Sequence, residues 1–138
     1  MNMGKDLTKD IVQPCTSYCF KCKQQNFLIG NQLVTLLPDS YSVIVDVEKI
    51  KLSHRAFRVL CALLRHKGES ISFCYLFRYA WPDSIVVKNN LMVVISELRT
   101  SLRHTEVKIE NVRGFGYRLC VPKNQLETSK LRRLECKI

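Results

Sequence analysis

Three cysteines near the start of the chain have the type and spacing to do chemistry. Cys15, Cys19 and Cys22 form a C-x3-C-x2-C run, the ligand spacing of an iron–sulfur loop and, with a fourth ligand, of a zinc site. Radical chemistry on such a cluster needs a barrel-sized scaffold, and 138 residues leave no room for one. Lys21 and Lys23 flank the run and favour thiolates, which suits a redox sensor. No second cysteine pair accompanies it, so unliganded thiols are the expected state. No metal is assigned, with Cys15, Cys19 and Cys22 as the candidates. Cys61 and Cys74 stand singly among apolar neighbours, and we expect buried, inert thiols there.

Other catalytic chemistry has little to build on. His54, His66 and His104 fall at or near expected helix ends, without a visible nucleophile or carboxylate partner. A histidine at a helix C-terminus, as His66 and His104 would be, is a favourable dipole contact. Walker A, GxGxxG and HExxH patterns are all missing from the sequence. The expectation is a non-enzyme with no cofactor.

Charge points elsewhere. The chain carries 22 Lys and Arg against 12 Asp and Glu, a net of +10. Such self-repulsion is the usual footprint of a polyanionic partner. The excess is uneven. Residues 1–52 hold six basic and five acidic groups, residues 53–118 eleven and five, and residues 119–138 five and two. A polyanion would be gripped by the middle and the end. No apolar run approaches the roughly 18 residues that cross a bilayer, and the polar start is neither a signal peptide nor a transit sequence. We therefore expect a cytoplasmic protein without a membrane partner.

The elements that must present this charge follow from patterning. Residues 1–26 lack sustained periodicity and read as a tail. From Phe27, short apolar runs are split by Gly30-Asn31, Pro38-Asp39-Ser40 and Asp46, which predicts a four-stranded antiparallel meander ending at Leu52. Ser53 caps a first helix, in which Phe57, Leu60, Cys61 and Leu64 share a face and Gly68 ends the run. A Glu69–Ser72 link leads to a second helix over Phe73–Tyr79, closed by Pro82. A third helix runs from about Asn89 to Arg103, with Leu91, Ile95, Leu98 and Leu102 as its core stripe. Val107–Val112 and Tyr117–Val121, around Arg113-Gly114-Phe115-Gly116, form a hairpin. Lys123–Ile138 is weakly amphipathic and reads as a basic tail or short helix.

This order predicts an α+β fold: a winged helix-turn-helix with an N-terminal four-stranded antiparallel sheet, three helices and a C-terminal β-hairpin wing. It divides the chain into a cysteine-containing tail (1–26), the folded module (27–121) and a basic end (122–138). The third helix then has one side in the core and one free for a major groove.

Particular motifs now carry a resemblance. Leu52-Ser53 with Phe57, Leu60 and Leu64, then Trp81, then Ile95-Ser96-Glu97-Leu98-Arg99 with Leu102, and above all Val112-Arg113-Gly114-Phe115-Gly116-Tyr117-Arg118-Leu119, resemble the OmpR/PhoB-type winged helices of bacterial transcription regulators. The chain is similar to stand-alone, CadC/ToxR-like members in particular. Only 26 residues precede the expected sheet and 17 follow Val121, so neither a receiver domain nor a membrane anchor is expected within them. The resemblance implies a sequence-specific regulator that binds double-stranded DNA, with the third helix in the major groove and the wing on the minor groove or phosphates. It also implies a contact with RNA polymerase through the Trp81–Lys88 loop, and head-to-tail pairing on DNA.

The residues expected to meet DNA are Lys88, Asn89, Asn90, Val93, Val94, Ser96, Glu97, Arg99, Arg103, Arg113 and Tyr117. Asn pairs bidentately with adenine and Glu accepts from cytosine; Glu97 has an ion pair inside the protein as its competing role. Gly114 and Gly116 are expected to let the wing backbone approach DNA. Met92, Val93 and Val94 depart from the polar pattern of the family, and can touch only thymine methyls or a protein surface. Two further readings stay open: a winged-helix module that binds and modulates another regulator, and a thiol- or metal-responsive regulator acting through Cys15, Cys19 and Cys22.

Overall fold

The computed structural model describes residues 22–82, 88–120 and 133–134. Four strands come first: β1 (Gln25–Ile29), β2 (Gln32–Leu37), β3 (Ser42–Val45) and β4 (Glu48–Lys51). They pair antiparallel in chain order, with Phe27 opposite Val34 and Leu36 opposite Val43. Two turns use residues that left-handed backbone favours, Gly30 (φ 61) and Asp46 (φ 61), whereas the β2–β3 turn places Tyr41 there (φ 52). Asp46 also accepts the Leu33 backbone N–H through Oδ1 at 3.3 Å, which holds the turn against β2. Ile29, Val34, Leu36, Val43 and Val45 face the core, and Leu28 and Leu33 sit opposite one another on the solvent face.

Helix α1 (His54–Arg65) begins where expected. The Ser53 hydroxyl accepts from the Ala56 N–H at 3.2 Å, and Gly68 turns the chain away at φ 84. Ala56, Phe57, Leu60, Leu63 and Leu64 are fully or almost fully buried. Strand β5 (Ser70–Ser72) occupies the segment expected as a simple link, and Ser72 then caps α2 (Phe73–Ala80) by accepting from Tyr75 N–H. Trp81 closes α2, its backbone N–H donating to the Phe77 carbonyl at 2.8 Å, and is buried with its ring edge-on to Phe77.

Two arginines hold α2 to α1. Arg55 Nη1 donates to the Ala80 carbonyl at 2.5 Å, and Arg58 Nε donates to Tyr79 at 2.7 Å. Carbonyls at the end of a helix lack partners within it, and these guanidinium groups supply them. Arg58 is itself buried and stacks over the Tyr79 ring. Helix α3 (Lys88–Ser101) buries Leu91, Ile95 and Leu98, with Leu102 just past its end, against the same core.

The hairpin β6 (Lys108–Val112) and β7 (Gly116–Cys120) completes the fold. β7 pairs with β5, so the hairpin belongs to a second sheet of order β6-β7-β5-β8. Its last strand, β8 (Arg133–Leu134), runs parallel to β5. That corrects the helical alternative for the basic end at these two residues, where strand pairing satisfies the backbone along β5. Expectations for residues 1–21, 83–87, 121–132 and 135–138, including Cys15, Cys19 and most of the Trp81–Lys88 loop, lie outside the described residues. The α+β architecture expected from the sequence is otherwise present. No helix among the described residues is long and apolar enough to cross a membrane.

Candidate nucleic-acid interface

Helix α3 presents one continuous exposed face. Asn89, Asn90, Met92, Val93, Ser96, Arg99, Thr100 and Arg103 are all exposed and recur at helical spacing. Met92 is 50% and Val93 63% exposed, two adjacent apolar side chains amid polar neighbours. Val94 differs from Val93: only 7% of it is exposed, and it packs with the core. Lys88 begins the helix.

Glu97 sits at the inner margin of this face, with both carboxylate oxygens engaged. The Ser53 backbone N–H donates to Oε2 at 2.9 Å and the Ser53 hydroxyl donates to Oε1 at 2.8 Å. The same hydroxyl accepts from Ala56 N–H, so Glu97 steadies the cap of α1 and locks α3 against it. The competing role expected for Glu97 was an ion pair; the partner is instead a serine.

Arg99 ties the helix to the wing. Its guanidinium donates to the Ile109 carbonyl, from Nε at 3.2 Å and Nη2 at 3.0 Å, and to Asn111 Oδ1 at 3.3 Å. It also lies over the Tyr117 ring, 6.0 Å from the centroid. Tyr117 is buried and meets Phe73 edge-on at 5.8 Å. Arg103 donates to His104 Nε2 at 3.3 Å near the far end of α3.

The wing turn is built from two glycines with different jobs. Gly114 takes φ 72 with open space around the place a Cβ would occupy, so it serves the turn. A Cβ on Gly116 would lie 1.8 Å from the Ile71 carbonyl oxygen. Gly116 is therefore small because β5 passes against it, which corrects the expectation that both glycines serve an approach to DNA. Arg113 stands exposed at the turn. Behind it, Glu110 and Arg118 pair across the hairpin. Between wing and helix lies an open groove of about 210 Å³, lined by Met92, Arg113, Phe73, Tyr117 and the turn backbone.

The structure thus brings Asn89, Asn90, Val93, Ser96 and Arg103 onto one face beside Arg113. It turns Val94 and Tyr117 inward and occupies Glu97 and Arg99 with internal partners. Sequence reading missed Arg55 and Arg58, whose only signal was two cations within an otherwise core-forming helix. It missed the partners of His66 as well: Glu69 at 3.6 Å and the Tyr75 hydroxyl at 3.2 Å. Among the described residues, no group of three metal-ligating side chains comes together.

Residues 47–119 match the family described as Transcriptional regulatory protein, C terminal. The alkaline phosphatase synthesis transcriptional regulatory protein PhoP of Bacillus subtilis (strain 168) is 30% identical over 92 residues, covering 64% of this chain and 38% of that protein. The transcriptional activator CadC of Escherichia coli (strain K12) is 33% identical over 98 residues, covering 68% of this chain and 19% of that protein. The chain therefore spans less than half the length of either relative. The solved DNA-binding domain of E. coli CadC superposes with a TM-score of 0.60 at 32% identity, covering 72% of this chain and 96% of that one. On fold, motif and match together, the chain belongs to the OmpR/PhoB-type family of transcriptional regulatory protein C-terminal domains.

Proposed function

We propose that the chain is a sequence-specific regulator of transcription that binds double-stranded DNA, through a module spanning about residues 27–121. One observation carries this reading: the exposed face of α3 continues into the wing, and Arg99 fixes the two together. A helix held at one angle beside a basic turn suits a major groove flanked by phosphates. Asn89, Asn90, Val93 and Ser96 read base edges in this scheme, and Lys88, Arg103 and Arg113 meet phosphate or the minor groove. Val94, Glu97, Arg99 and Tyr117 set the angle. No step of this function is catalytic, and the site of action is the cytoplasm.

A polymerase contact through the Trp81–Lys88 loop and head-to-tail pairing on DNA extend the same proposal. Loop substitutions that abolish activation in a transcription assay while sparing DNA binding support the first. Band-shift stoichiometry on direct repeats tests the second.

The exposed Met92 and Val93 favour a second reading, in which α3 binds another protein. Selection of sites from a random duplex pool, followed by titration with salt, separates the two. A DNA regulator yields a defined site whose affinity falls steeply with salt as counterions are released. A protein-binding module yields no enriched site. On a selected site, thymine methyls facing α3 supply the apolar partners. Val93→Ser should then relax the base choice at one position without lowering the melting temperature. Unchanged selectivity in that variant removes Val93 from base reading.

A further inference from the structure

The seam between α1 and the start of the first sheet holds chemistry that the DNA interface does not use. Cys22, just before β1, and Cys61, on α1, line one cavity together with Lys23, Arg58, Arg65 and Tyr79. Cys61 was expected as a buried, inert thiol, yet it is half-buried. Its sulfur lies 3.1 Å from the Tyr79 hydroxyl, and Arg65 Nε donates to it at 3.2 Å. These contacts fix the sulfur on the cavity side. Reactive cysteines, as opposed to structural ones, sit in partly exposed, electropositive surroundings of this kind. The cavity volume is about 10 Å³, room for one water-sized molecule. Hydrogen peroxide, with two heavy atoms, needs the least opening of this cavity among thiol oxidants, and a bulky thiol such as glutathione needs far more.

We propose that Cys22 and Cys61 form a peroxide-driven thiol–disulfide switch. The Cys61 sulfur attacks one oxygen of hydrogen peroxide, the O–O bond breaks, and the departing hydroxide takes a proton to become water. Cys61 is left as a sulfenic acid. The Cys22 thiolate then attacks the Cys61 sulfur. The S–S bond forms, the S–O bond breaks, and the second hydroxide leaves as water after protonation. Two thiols are oxidised and one peroxide is reduced to two waters. The bond spans the whole first sheet and ties its start to α1, which raises the melting temperature by restricting the unfolded chain. This proposal stands whether or not α3 reads DNA.

The test uses the full chain, reduced and then exposed to hydrogen peroxide. Remaining thiols are alkylated and the digest is mapped by mass spectrometry. The expected result is a Cys22–Cys61 linked peptide that dithiothreitol abolishes, with both residues lost from the alkylated pool. The same link should form in a Cys15→Ser, Cys19→Ser double variant, and should disappear in Cys61→Ser. A link from Cys22 to Cys15 or Cys19 with Cys61 still alkylated overturns the proposal. So does oxidation of Cys61 beyond the sulfenic stage without any link, or an unchanged thiol map.

Discussion

The two sheets of this molecule are built on opposite principles. β1–β4 is a meander in which each strand pairs with its chain neighbour, on a stretch whose charges nearly cancel. The second sheet is assembled from three distant pieces, β5, the β6–β7 hairpin and β8, and displays the basic turn. The difference teaches where precision is needed. A meander tolerates local variation because each strand pairs with its chain neighbour across a short turn. The wing must be placed relative to α3, so its position is set by long-range contacts: β5 against Gly116, Arg99 on Ile109 and Phe73 on Tyr117. Damage to the second sheet should therefore cost DNA binding and stability together.

The largest effect should come from Gly116→Ala. The added Cβ meets backbone at 1.8 Å, which no rotamer change can relieve, so β5 and β7 must separate. We expect a loss of about 4 kcal/mol, in the tail reserved for single substitutions that break a packed contact, measured by denaturant unfolding. Gly114→Ala sharpens the point. Its surroundings are open and only its φ of 72 is strained, so about 1 kcal/mol is expected. Equal costs at the two positions would show that β5 yields easily and that the wing is not rigidly placed.

What could be read in advance follows the same division. Gly30-Asn31, Pro38-Asp39-Ser40 and Asp46 announce the meander because its turns are local. Ser53, Gly68 and Ser72 mark helix ends for the same reason, although Ser72 was visible only as part of a link. β5 was invisible: three residues carry no period of their own, and they are a strand only because Tyr117 and Gly116 arrive beside them. At the site, residue types were legible but their occupations were not. Glu97 was recognisable as a carboxylate on α3, and its partner Ser53 lies 44 residues away in sequence. Arg99 was counted among the DNA contacts, and only the folded hairpin shows that its guanidinium is spent on the Ile109 carbonyl and Asn111.

Glu97 gives the next test in size. Its removal strips two hydrogen bonds from Ser53 and loosens α3 from α1 at one point. Charged hydrogen bonds of this kind contribute about 1.5–3 kcal/mol when internal, less where solvent competes as here. Glu97→Ala should therefore cost about 1–2 kcal/mol, and Ser53→Ala in the Glu97→Ala background should add little beyond the lost α1 cap. Site selection with the variant decides its other assignment. Preserved selectivity at lower stability makes Glu97 a positioning residue, and relaxed choice at one base makes it a reader.

The remaining test, which leaves stability untouched, is also the sharpest comparison between the sheets. Arg113 stands exposed at the wing turn, and Lys49 stands exposed on β4 of the neutral meander. Each substitution to alanine removes one positive charge, so a purely global electrostatic attraction would respond alike to both. Local contact predicts otherwise. An arginine that neutralises a phosphate displaces about one counterion, so its loss lowers the slope of log affinity against log salt by about 1 unit. Arg113→Ala should weaken every duplex tested by about tenfold, close to 1.4 kcal/mol, with the melting temperature unchanged. Lys49→Ala should leave both affinity and slope where they were. Equal, small losses in the two variants would mean that the chain attracts DNA by net charge alone and that the wing makes no contact of its own.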